Sequence, residues 1–410
     1  MTAPLDDLLV LDMTRALAGP IAGRMLSDLG ARVIKVEPPA GDLTRTTKPR
    51  HESMAVYFVQ ANVGKECISI DVTTPEGKDV FLQLVERADV VLENFRAGVL
   101  DRLGLGFDVL QSVNPTIILA SVSGYGQGNS WSHRGAFAVA VQAETGLTAD
   151  IAKRRNTTPA NDPVSQSDVY GGMTAATALL AALHYRNRTG RGQAIDVDMA
   201  SATLFANDMT ATNVGDYGEV TDGFRAGSNW PRCYQLKTGR WVVISGDSAV
   251  PGAFRAFLRA MGQRELADDP RFDTMEARMA NAEALDAIIG EWVAGFETAA
   301  DVEAAIGVST MLVADVRTAS EIRDTPWAQE RGAFLDVTLR DGADPVSVPQ
   351  SPWRFSESSA GARPIVGFRG EDNRRVLAEL LGLSGEALDQ LEESGAISDR
   401  VPPWRRDATA

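Results

Sequence analysis

A carboxylate followed closely by two glycines is the stretch of this sequence best suited to chemistry. Asp168 precedes Gly171 and Gly172, and an alanine- and leucine-rich run continues to Tyr185. This run predicts a helix with Asp168 at its mouth, where aspartate commonly acts as an N-cap. The position also suits a nucleophile, because free N–H groups and the helix dipole keep a carboxylate ionised. The two glycines would let a substrate carbonyl approach backbone oxyanion donors.

Short apolar strands alternate with helices on both sides of this stretch. Strands are predicted at residues 8–11, 31–37, 67–71, 89–93, 116–123 and 194–199. Strand, helix and strand at this spacing predict right-handed parallel crossovers and therefore a doubly wound α/β domain. Ligands of such domains lie beyond the carboxyl ends of the strands. Those ends carry residues 14–19, 37–42, 93–98 and 123–128.

A dinucleotide-binding fingerprint is missing from the first of these loops. It contains one glycine, Gly19, where G-x-G-x-x-G is required after the first strand. Residues 124–128 contain spaced glycines, but polar residues follow them in place of a helix. The sequence therefore disfavours a dehydrogenase.

Length, charge and cysteine content limit the remaining classes of protein. A chain of 410 residues is long enough for two domains. The formal net charge of −15 argues against nucleic-acid and anionic-membrane partners. No basic segment precedes the first apolar run, and no apolar run reaches the roughly 18 residues of a membrane span, so a cytoplasmic protein is predicted. Cys67 and Cys233 lie far apart without neighbouring histidines, so no metal site is expected.

A polar, glycine-containing stretch separates a second region from the first. This boundary lies between residues 205 and 230. The second region has a predicted strand at residues 241–245 and helices near residues 251–262, 281–296 and 299–306. Residues 402–410 are predicted to be disordered.

Seven short motifs occur in order along the chain. They are Leu11 and Asp12 with residues 18–20; residues 33–39 with Gly41 and Asp42; Gly64 and Lys65; residues 93–96 with Gly98; residues 123–127; Asp168 with Gly171 and Gly172; and residues 188–193. As a set they resemble the family III CoA-transferases, the CaiB/BaiF type, which include formyl-CoA transferase and α-methylacyl-CoA racemase. The resemblance extends from about residue 8 to about residue 396 and is strongest before residue 205.

The resemblance implies a nucleophilic role for Asp168. In this family an aspartate attacks an acyl-CoA thioester to give a mixed anhydride, and CoA thiolate then returns to form an aspartyl-CoA thioester. A carboxylate suits this exchange because the anhydride keeps the energy of the thioester, whereas a serine ester would lose it. The anhydride must be shielded from water, so a closing loop is expected. Residues 227–230 and 245–247 are the nearest candidates for that loop.

The resemblance also implies which residues bind the substrates. CoA contacts are expected at Ala16, Leu17, Ala18, Asn94, Phe95, Arg96 and Arg102. Phe95 can stack on adenine, and the two arginines can bind phosphate; a core contact and solvated surface charges are the alternatives. Tyr125 is expected near the reacting carbonyl as an oxyanion donor. CoA and acyl-CoA act as substrates with a carboxylic acid, and no tightly bound cofactor is implied.

Three departures from family patterns bear on the activity. Leu17 replaces a glutamine of formyl-CoA transferase and Pro38 replaces an arginine, so a bulkier or more apolar acid than formate or oxalate is expected. Phe137 stands where the racemases have a proton-transferring histidine, and His133 would need a local shift to reach that place. Acyl transfer is therefore favoured over racemase or epimerase chemistry. A catalytically idle CoA-binding protein is the third hypothesis.

The resemblance further implies the domain arrangement and the assembly. Residues 1–205 would form a Rossmann-like large domain that binds CoA and is completed by residues 331–410. A smaller α+β domain would span residues 231–315, with linkers at residues 206–230 and 316–330. Two such chains would form an interlocked homodimer.

Overall fold

The computed structural model describes residues 2–155, 157–215, 233–307, 311–339 and 342–406. The strands in these ranges are β1 (Leu9–Asp12), β2 (Arg32–Glu37), β3 (Arg50–His51), β4 (Met54–Ala55), β5 (Glu66–Ser69), β6 (Val90–Glu93), β7 (Ile118–Ser123), β8 (Ala194–Asp198), β9 (Cys233–Gln235), β10 (Trp241–Ile244), β11 (Val313–Asp315), β12 (Phe334–Val337) and β13 (Val346–Pro349). The helices are α1 (Ala18–Asp28), α2 (Val56–Asn62), α3 (Pro75–Val85), α4 (Val99–Arg102), α5 (Phe107–Val113), α6 (Ala138–Glu144), α7 (Leu147–Arg155), α8 (Gln166–Thr189), α9 (Met199–Ala206), α10 (Thr210–Val214), α11 (Pro251–Met261), α12 (Met275–Ala280), α13 (Ala282–Val293), α14 (Ala299–Ile306), α15 (Ala319–Arg323), α16 (Pro326–Arg331), α17 (Asn373–Leu381), α18 (Gly385–Glu393) and α19 (Pro403–Arg406).

Six parallel strands form one sheet in the order β5-β2-β1-β6-β7-β8. β1 pairs with β2 through Leu9 and Arg32, and with β6 through Val10 and Val90. The strand order reverses direction between β1 and β6, which leaves a crevice at their carboxyl ends, here called the switch crevice. All six predicted strands lie in this sheet, so the predicted parallel α/β architecture is confirmed.

Apolar side chains cover both faces of this sheet. On one face, Val10 packs with residues of α1 and α8, including Leu26 and Leu179. On the other face, Leu11 packs with residues of α3 and α17, including Phe81 and Leu377. Successive side chains of a strand point to opposite faces, which explains why β1 carries an unbroken apolar run.

Two glycines bring α8 close to its neighbours. A Cβ atom added to Gly172 would lie 2.5 Å from the carbonyl oxygen of Ala18, and one added to Gly171 would lie 3.0 Å from Cγ of Met199. Both glycines are buried, so their missing side chains allow close packing of α8 on α1 and on the start of α9. These positions therefore serve helix packing, and the approach of a substrate carbonyl there stays a prediction.

The C-terminal segment covers the edge of the sheet at β5. A carboxylate oxygen of Asp372 accepts the N–H of Cys67 at 2.7 Å, and the amide oxygen of Asn373 accepts the N–H of Ser69 at 2.8 Å. The guanidinium of Arg369 donates to the hydroxyl of Ser69 at 2.7 Å. These side chains take the place of a neighbouring strand, so the edge does not present unpaired N–H groups.

The last described residues are helical, although disorder is predicted from residue 402. α19 is attached to the preceding segment because Trp404 packs edge-on against Phe368, with ring centroids 5.8 Å apart. Arg405 forms an ion pair with Glu371 at 2.7 Å. The prediction of disorder is therefore wrong through Arg406, and residues 407–410 lie outside the described ranges.

The chain divides into two compact units. The larger unit comprises Met1–Leu147, Asn161–Asp208 and Pro326–Ala410, and the smaller unit comprises Thr148–Ala160 and Met209–Thr325. The smaller unit contains an antiparallel sheet in the order β11-β10-β9, and an apolar core in which Phe257 and Leu285 are buried. Most of the predicted linker at residues 206–230, with the loop candidate at residues 227–230, lies outside the described residues.

Candidate active site

A pocket of about 230 Å³ opens beside the switch crevice of the larger unit. Six residues that the sequence predicts for the site line it, namely Ala16, Ala18, Asn94, Phe95, Arg96 and Asp168. Five others do not line it, namely Leu17, Arg102, Tyr125, Gly171 and Gly172.

The described residues contain no cluster of three or more His, Cys, Asp and Glu side chains that could hold a metal ion. No helix among them is long and apolar enough to cross a membrane.

Asp168 lies in the first turn of α8 but does not cap it. The helix begins at Gln166 and Ser165 holds the N-cap position, so the interpretation of Asp168 as an N-cap is wrong. The Asp168 carboxyl faces the backbone N–H groups of Ala18 and Ala138. These are the first residues of α1 and α6. Three helix N-termini therefore converge on one partly exposed carboxylate, an arrangement that favours negative charge.

Burial nevertheless raises the pKa of Asp168 to about 6, while the N–H groups of Ala138 and Ala18 act in the opposite direction. No lysine or arginine in the described part of the chain forms an ion pair with this carboxylate. Loss of water on burial therefore outweighs the amide groups in setting this pKa. At pH 7 such a group is still about nine-tenths ionised, and it is more basic than an ordinary carboxylate. Both properties suit a nucleophile.

The loop between β1 and α1 is held by side chains from neighbouring strand ends. The side-chain oxygen of Asn94 accepts the N–H of Arg15 at 2.8 Å, and its NH₂ group donates to the Arg15 carbonyl at 2.7 Å. Asp42 accepts the N–H of Ala16 at 3.2 Å. Ala16 has a φ of 66°, in the left-handed region that disfavours alanine. The chain turns sharply here and enters α1 at Ala18.

Two fully buried ion pairs lie beneath this loop. Lys65 pairs with Asp12 at 2.8 Å, and Lys35 pairs with Asp42 at 3.0 Å. Lys35 also donates to the carbonyl of Thr14 at 2.8 Å. Burial acts to raise the pKa of Asp12, but the ammonium groups of Lys65 and Lys35 outweigh it and lower that pKa. The Asp12 carboxyl therefore stays ionised, while burial lowers the pKa of its partner Lys65.

The predicted CoA contacts after β6 have different surroundings. Asn94 uses its amide group on Arg15, as described above. Phe95 is partly buried, and the Arg15 guanidinium lies 5.0 Å from the centre of its ring. Arg96 is exposed at the rim of the pocket. Arg102 is exposed on α4 outside the pocket.

Tyr125 lies in a neighbouring cavity rather than in the pocket of Asp168. Its ring packs edge-on against Trp131 with centroids 5.3 Å apart, and the guanidinium of Arg134 lies 5.0 Å from the ring centre. Its buried hydroxyl has no hydrogen-bond partner among the described residues. This position does not support the predicted role as an oxyanion donor.

The place of the racemase histidine is taken by an exposed ring. Phe137 is the N-cap of α6 and lines the pocket with 63% of its surface exposed. His133 is also exposed, but it does not line the pocket. No histidine is among the described residues that line it, so a proton-transferring imidazole is absent from this part of the structure.

Sequence reasoning missed Arg15, which lines the pocket, and Tyr57, which does not line it but responds to the charge of Asp168. Arg15 lines the pocket directly beside the predicted loop residues. Burial and then the negative charges of Asp168 and Asp42 raise the pKa of Tyr57, so its hydroxyl lies within the field of the Asp168 carboxylate. Tyr57 belongs to α2, which carries none of the motifs. Only the position of Arg15 next to Ala16 could have indicated its role.

Comparison with known proteins shows the family of this chain. The sequence model of CoA-transferase family III matches residues 5–370. A succinyl-CoA–D-citramalate CoA-transferase from Chloroflexus aurantiacus is 32% identical over 96% of this chain and 98% of its own length. An acetyl-CoA:oxalate CoA-transferase from Acetobacter aceti is 36% identical over 86% of this chain and 89% of its own length.

A solved structure shows the same architecture over nearly the whole chain. The crystal structure of a CAIB/BAIF family protein from Brucella suis has a TM-score of 0.80 and 31% sequence identity, and the alignment covers 93% of this chain and all of that protein. The family match, these relatives and the shared fold agree with the motifs read from the sequence. The chain therefore belongs to CoA-transferase family III and is an enzyme of the transferase class.

Proposed function

We propose that the enzyme moves CoA from an acyl-CoA thioester to a free carboxylic acid through covalent intermediates on Asp168. The observation that carries this proposal is the position of the Asp168 carboxylate, which opens into the pocket between the first N–H groups of α1 and α6. A nucleophile needs an accessible lone pair, and the developing oxyanion needs nearby donors that are already oriented. Asp168 has both.

Four attacks at carbonyl carbons complete the reaction. The Asp168 carboxylate attacks the thioester, the carbon–sulfur bond breaks, and CoA thiolate leaves an acyl–aspartyl anhydride. The thiolate then attacks the aspartyl carbonyl carbon, which releases the first acid and forms an aspartyl-CoA thioester. The second acid attacks that thioester and regenerates an anhydride and the thiolate. Attack of the thiolate on the new acyl carbon frees Asp168, so charge balances without an external proton.

Trapping the intermediates tests the proposal. The enzyme is incubated with an acyl-CoA and then treated with hydroxylamine, which converts an activated carboxyl into a hydroxamate. We expect mass spectrometry to find the hydroxamate on the peptide that contains Asp168, and to find CoA mass on that peptide when the treatment is omitted. A peptide that stays unmodified with every acyl-CoA, while CoA still binds, would support the idle CoA-binding protein instead.

We propose a dicarboxylic acid as one of the two acids. Arg15 and Arg96 line the pocket, and neither guanidinium forms an ion pair or hydrogen bond within the described residues. Arg134 also lines it, but Glu144 pairs with that guanidinium. A distal carboxylate would neutralise the two free cations. The relatives named above act on succinyl, citramalate or oxalate groups according to their names, and each of these is dicarboxylic.

A dicarboxylic acid is more polar than the acid expected from the sequence, where Leu17 and Pro38 favour a bulkier or more apolar substrate. Succinate and butyrate test the choice, because they differ only in the distal carboxylate. We expect kcat/KM for succinate to exceed that for butyrate by about tenfold or more. Arg15→Gln and Arg96→Gln should lower this ratio, whereas Arg102→Gln, outside the pocket, should not. Equal rates with both acids would contradict the choice.

We also propose that the enzyme works as a homodimer, as the family resemblance implies. In the single chain, α8 exposes three large apolar side chains, Met173, Leu180 and Tyr185, which are 50%, 40% and 45% exposed. Covering such a surface is favourable. Light scattering after size exclusion should give twice the chain mass of 43.9 kDa, and a stable monomer would contradict the proposal.

A further inference from the structure

We propose that Asn94 is a positioning residue that places the Ala18 N–H group against Asp168, and that its amide is not a ligand of CoA. The inference rests on the proposed function, in which Asp168 is the nucleophile. It differs from the family resemblance, which assigns Asn94 to CoA binding.

The side-chain amide of Asn94 forms both of its hydrogen bonds with Arg15, on the other side of the switch crevice. It accepts the N–H of Arg15 at 2.8 Å and donates to the carbonyl of the same residue at 2.7 Å. The two bonds fix the peptide groups on both sides of the Arg15 Cα atom. A carboxamide oxygen has two lone pairs and the NH₂ group has two donors, so Arg15 uses half of this hydrogen-bonding capacity and fixes the orientation of the side chain. The side chain thus ties the end of β6 to the loop after β1.

The two hydrogen bonds of Asn94 stabilise a turn whose backbone conformation is unfavourable for alanine. Ala16 follows Arg15 directly and has a φ of 66°. Left-handed alanine persists only where its surroundings enforce it. Here Asn94 fixes the preceding residue, and Asp42 accepts the N–H of Ala16 at 3.2 Å. Side chains from the loops that follow β6 and β2 therefore hold the strained backbone at Ala16.

The orientation of the next two residues depends on this turn. Ala18 is the first residue of α1, so no intrahelical acceptor exists for its N–H, which faces the Asp168 carboxyl. If the turn at Ala16 relaxes, this donor moves away from Asp168. The carboxylate then loses a group that stabilises its charge, and the oxyanion formed on Asp168 during thiolate attack loses a donor.

Asn94→Ala tests the proposal against a matched control, Asn114→Ala. Asn114 also binds backbone through both amide atoms, because it donates to the carbonyls of Val85 and Ala88 at 3.0 and 2.8 Å and accepts the N–H of Thr116 at 3.0 Å. It does not line the pocket. Both variants remove similar hydrogen bonds, so general loss of stability affects both.

Three measurements separate positioning from CoA binding. We expect Asn94→Ala to lower kcat at saturating substrate by about tenfold to a hundredfold, as small misplacements at reacting centres do. Its Kd for CoA should stay within about twofold of the wild-type value. The acid limb of its pH–rate profile should move to higher pH, because the Asp168 carboxylate has lost a donor. Asn114→Ala should keep kcat and the acid limb.

Two results would overturn the inference. One is a Kd for CoA that rises about tenfold in Asn94→Ala while kcat is unchanged, which is the behaviour of a ligand-binding residue. The other is a crystal structure of this variant in which Ala16 keeps its left-handed φ and the Ala18 N–H still faces Asp168. The second readout does not depend on activity. Failure of the proposed function would instead show as an unmodified Asp168 in the wild-type enzyme.

Discussion

Asp12 and Asp168 are two carboxylates beside α1 with opposite surroundings. Asp12 is fully buried at the end of β1, and Lys65 pairs with it at 2.8 Å. Its pKa is lowered although burial acts to raise it. Asp168 opens into the pocket and faces backbone N–H groups only, and burial raises its pKa to about 6.

The difference separates a structural carboxylate from the one that is proposed to react. An ammonium partner keeps Asp12 charged but occupies the lone pairs that an attack would need. Amide groups at helix ends compensate the charge of Asp168 only in part, so that carboxylate stays basic and accessible. The lack of a cation partner among the described residues is therefore the property that favours Asp168 for the proposed role of nucleophile.

Replacing the reactive carboxylate should give the largest effect. Asp168→Asn keeps the shape of the side chain but removes the charge and the attacking oxygen, so we expect CoA transfer to fall on the order of 10⁴-fold. Steady-state exchange between acyl-CoA and acid measures this. The Kd for CoA should stay near the wild-type value, which shows that the pocket is intact. Retention of wild-type turnover would refute the role of Asp168.

Removing the cation partner of the structural carboxylate should give the next largest effect. Lys65→Met leaves Asp12 buried without its nearest ammonium group, so the free energy of unfolding should fall by about 3–5 kcal/mol. Urea unfolding at pH 7 measures the change. The double variant with Asp12→Asn no longer buries that unpaired charge and should recover much of the loss. A loss in the double variant equal to the sum of the single losses would mean that the pair is not coupled.

The same Asp168→Asn variant should be more stable than the wild type at alkaline pH. The pKa of this carboxyl is raised from 3.8 to about 6 in the folded state. Its contribution to stability is therefore fully present below about pH 4 and is lost as the pH rises through 6. At pH 8 the asparagine variant should gain about 1–3 kcal/mol, and by pH 4 the gain should vanish. A gain that grows as the pH falls would contradict the assigned direction.

The smallest expected effect is that of salt on the midpoint of the pH profile of kcat/KM. kcat/KM should rise with pH to a plateau, with a midpoint near the Asp168 pKa of about 6. Since burial rather than a neighbouring charge raises that pKa, adding salt to 0.5 M should move the midpoint by less than about 0.3 pH units. Profiles at two salt concentrations measure it. A large shift would mean that nearby charges control this carboxylate after all.

The sheet and most of the pocket follow from local sequence patterns. Apolar runs broken by turn residues mark the six strands, and the carboxyl ends of parallel strands meet at one edge. That rule brings Ala16, Ala18 and Asn94 to the same place, although Asn94 lies far from the other two in sequence. Asp168 joins them because α8 packs closely against α1.

Other parts of the site depend on tertiary packing that local patterns do not contain. Glycine serves close helix packing and close substrate approach equally well, so the sequence could not decide between them for Gly171 and Gly172. The donor at Ala138 is a backbone group, which side-chain identity does not reveal. The ring of Tyr125 turns toward Trp131 because of local packing. The elevated pKa of Asp168 results from burial, which the whole fold determines.

The way in which the C-terminal segment covers β5 also sets the order in which the protein can be completed. All six strands of the sheet have been synthesised once Asp198 has left the ribosome, whereas Asp372 and Asn373, which cover the edge at β5, are made only after residues 199–371. During that interval the nascent sheet presents a bare strand to other chains. Truncated versions that end near residue 370 would leave that edge uncovered, so chains that include Asp372 and Asn373 are the ones suited to recombinant production.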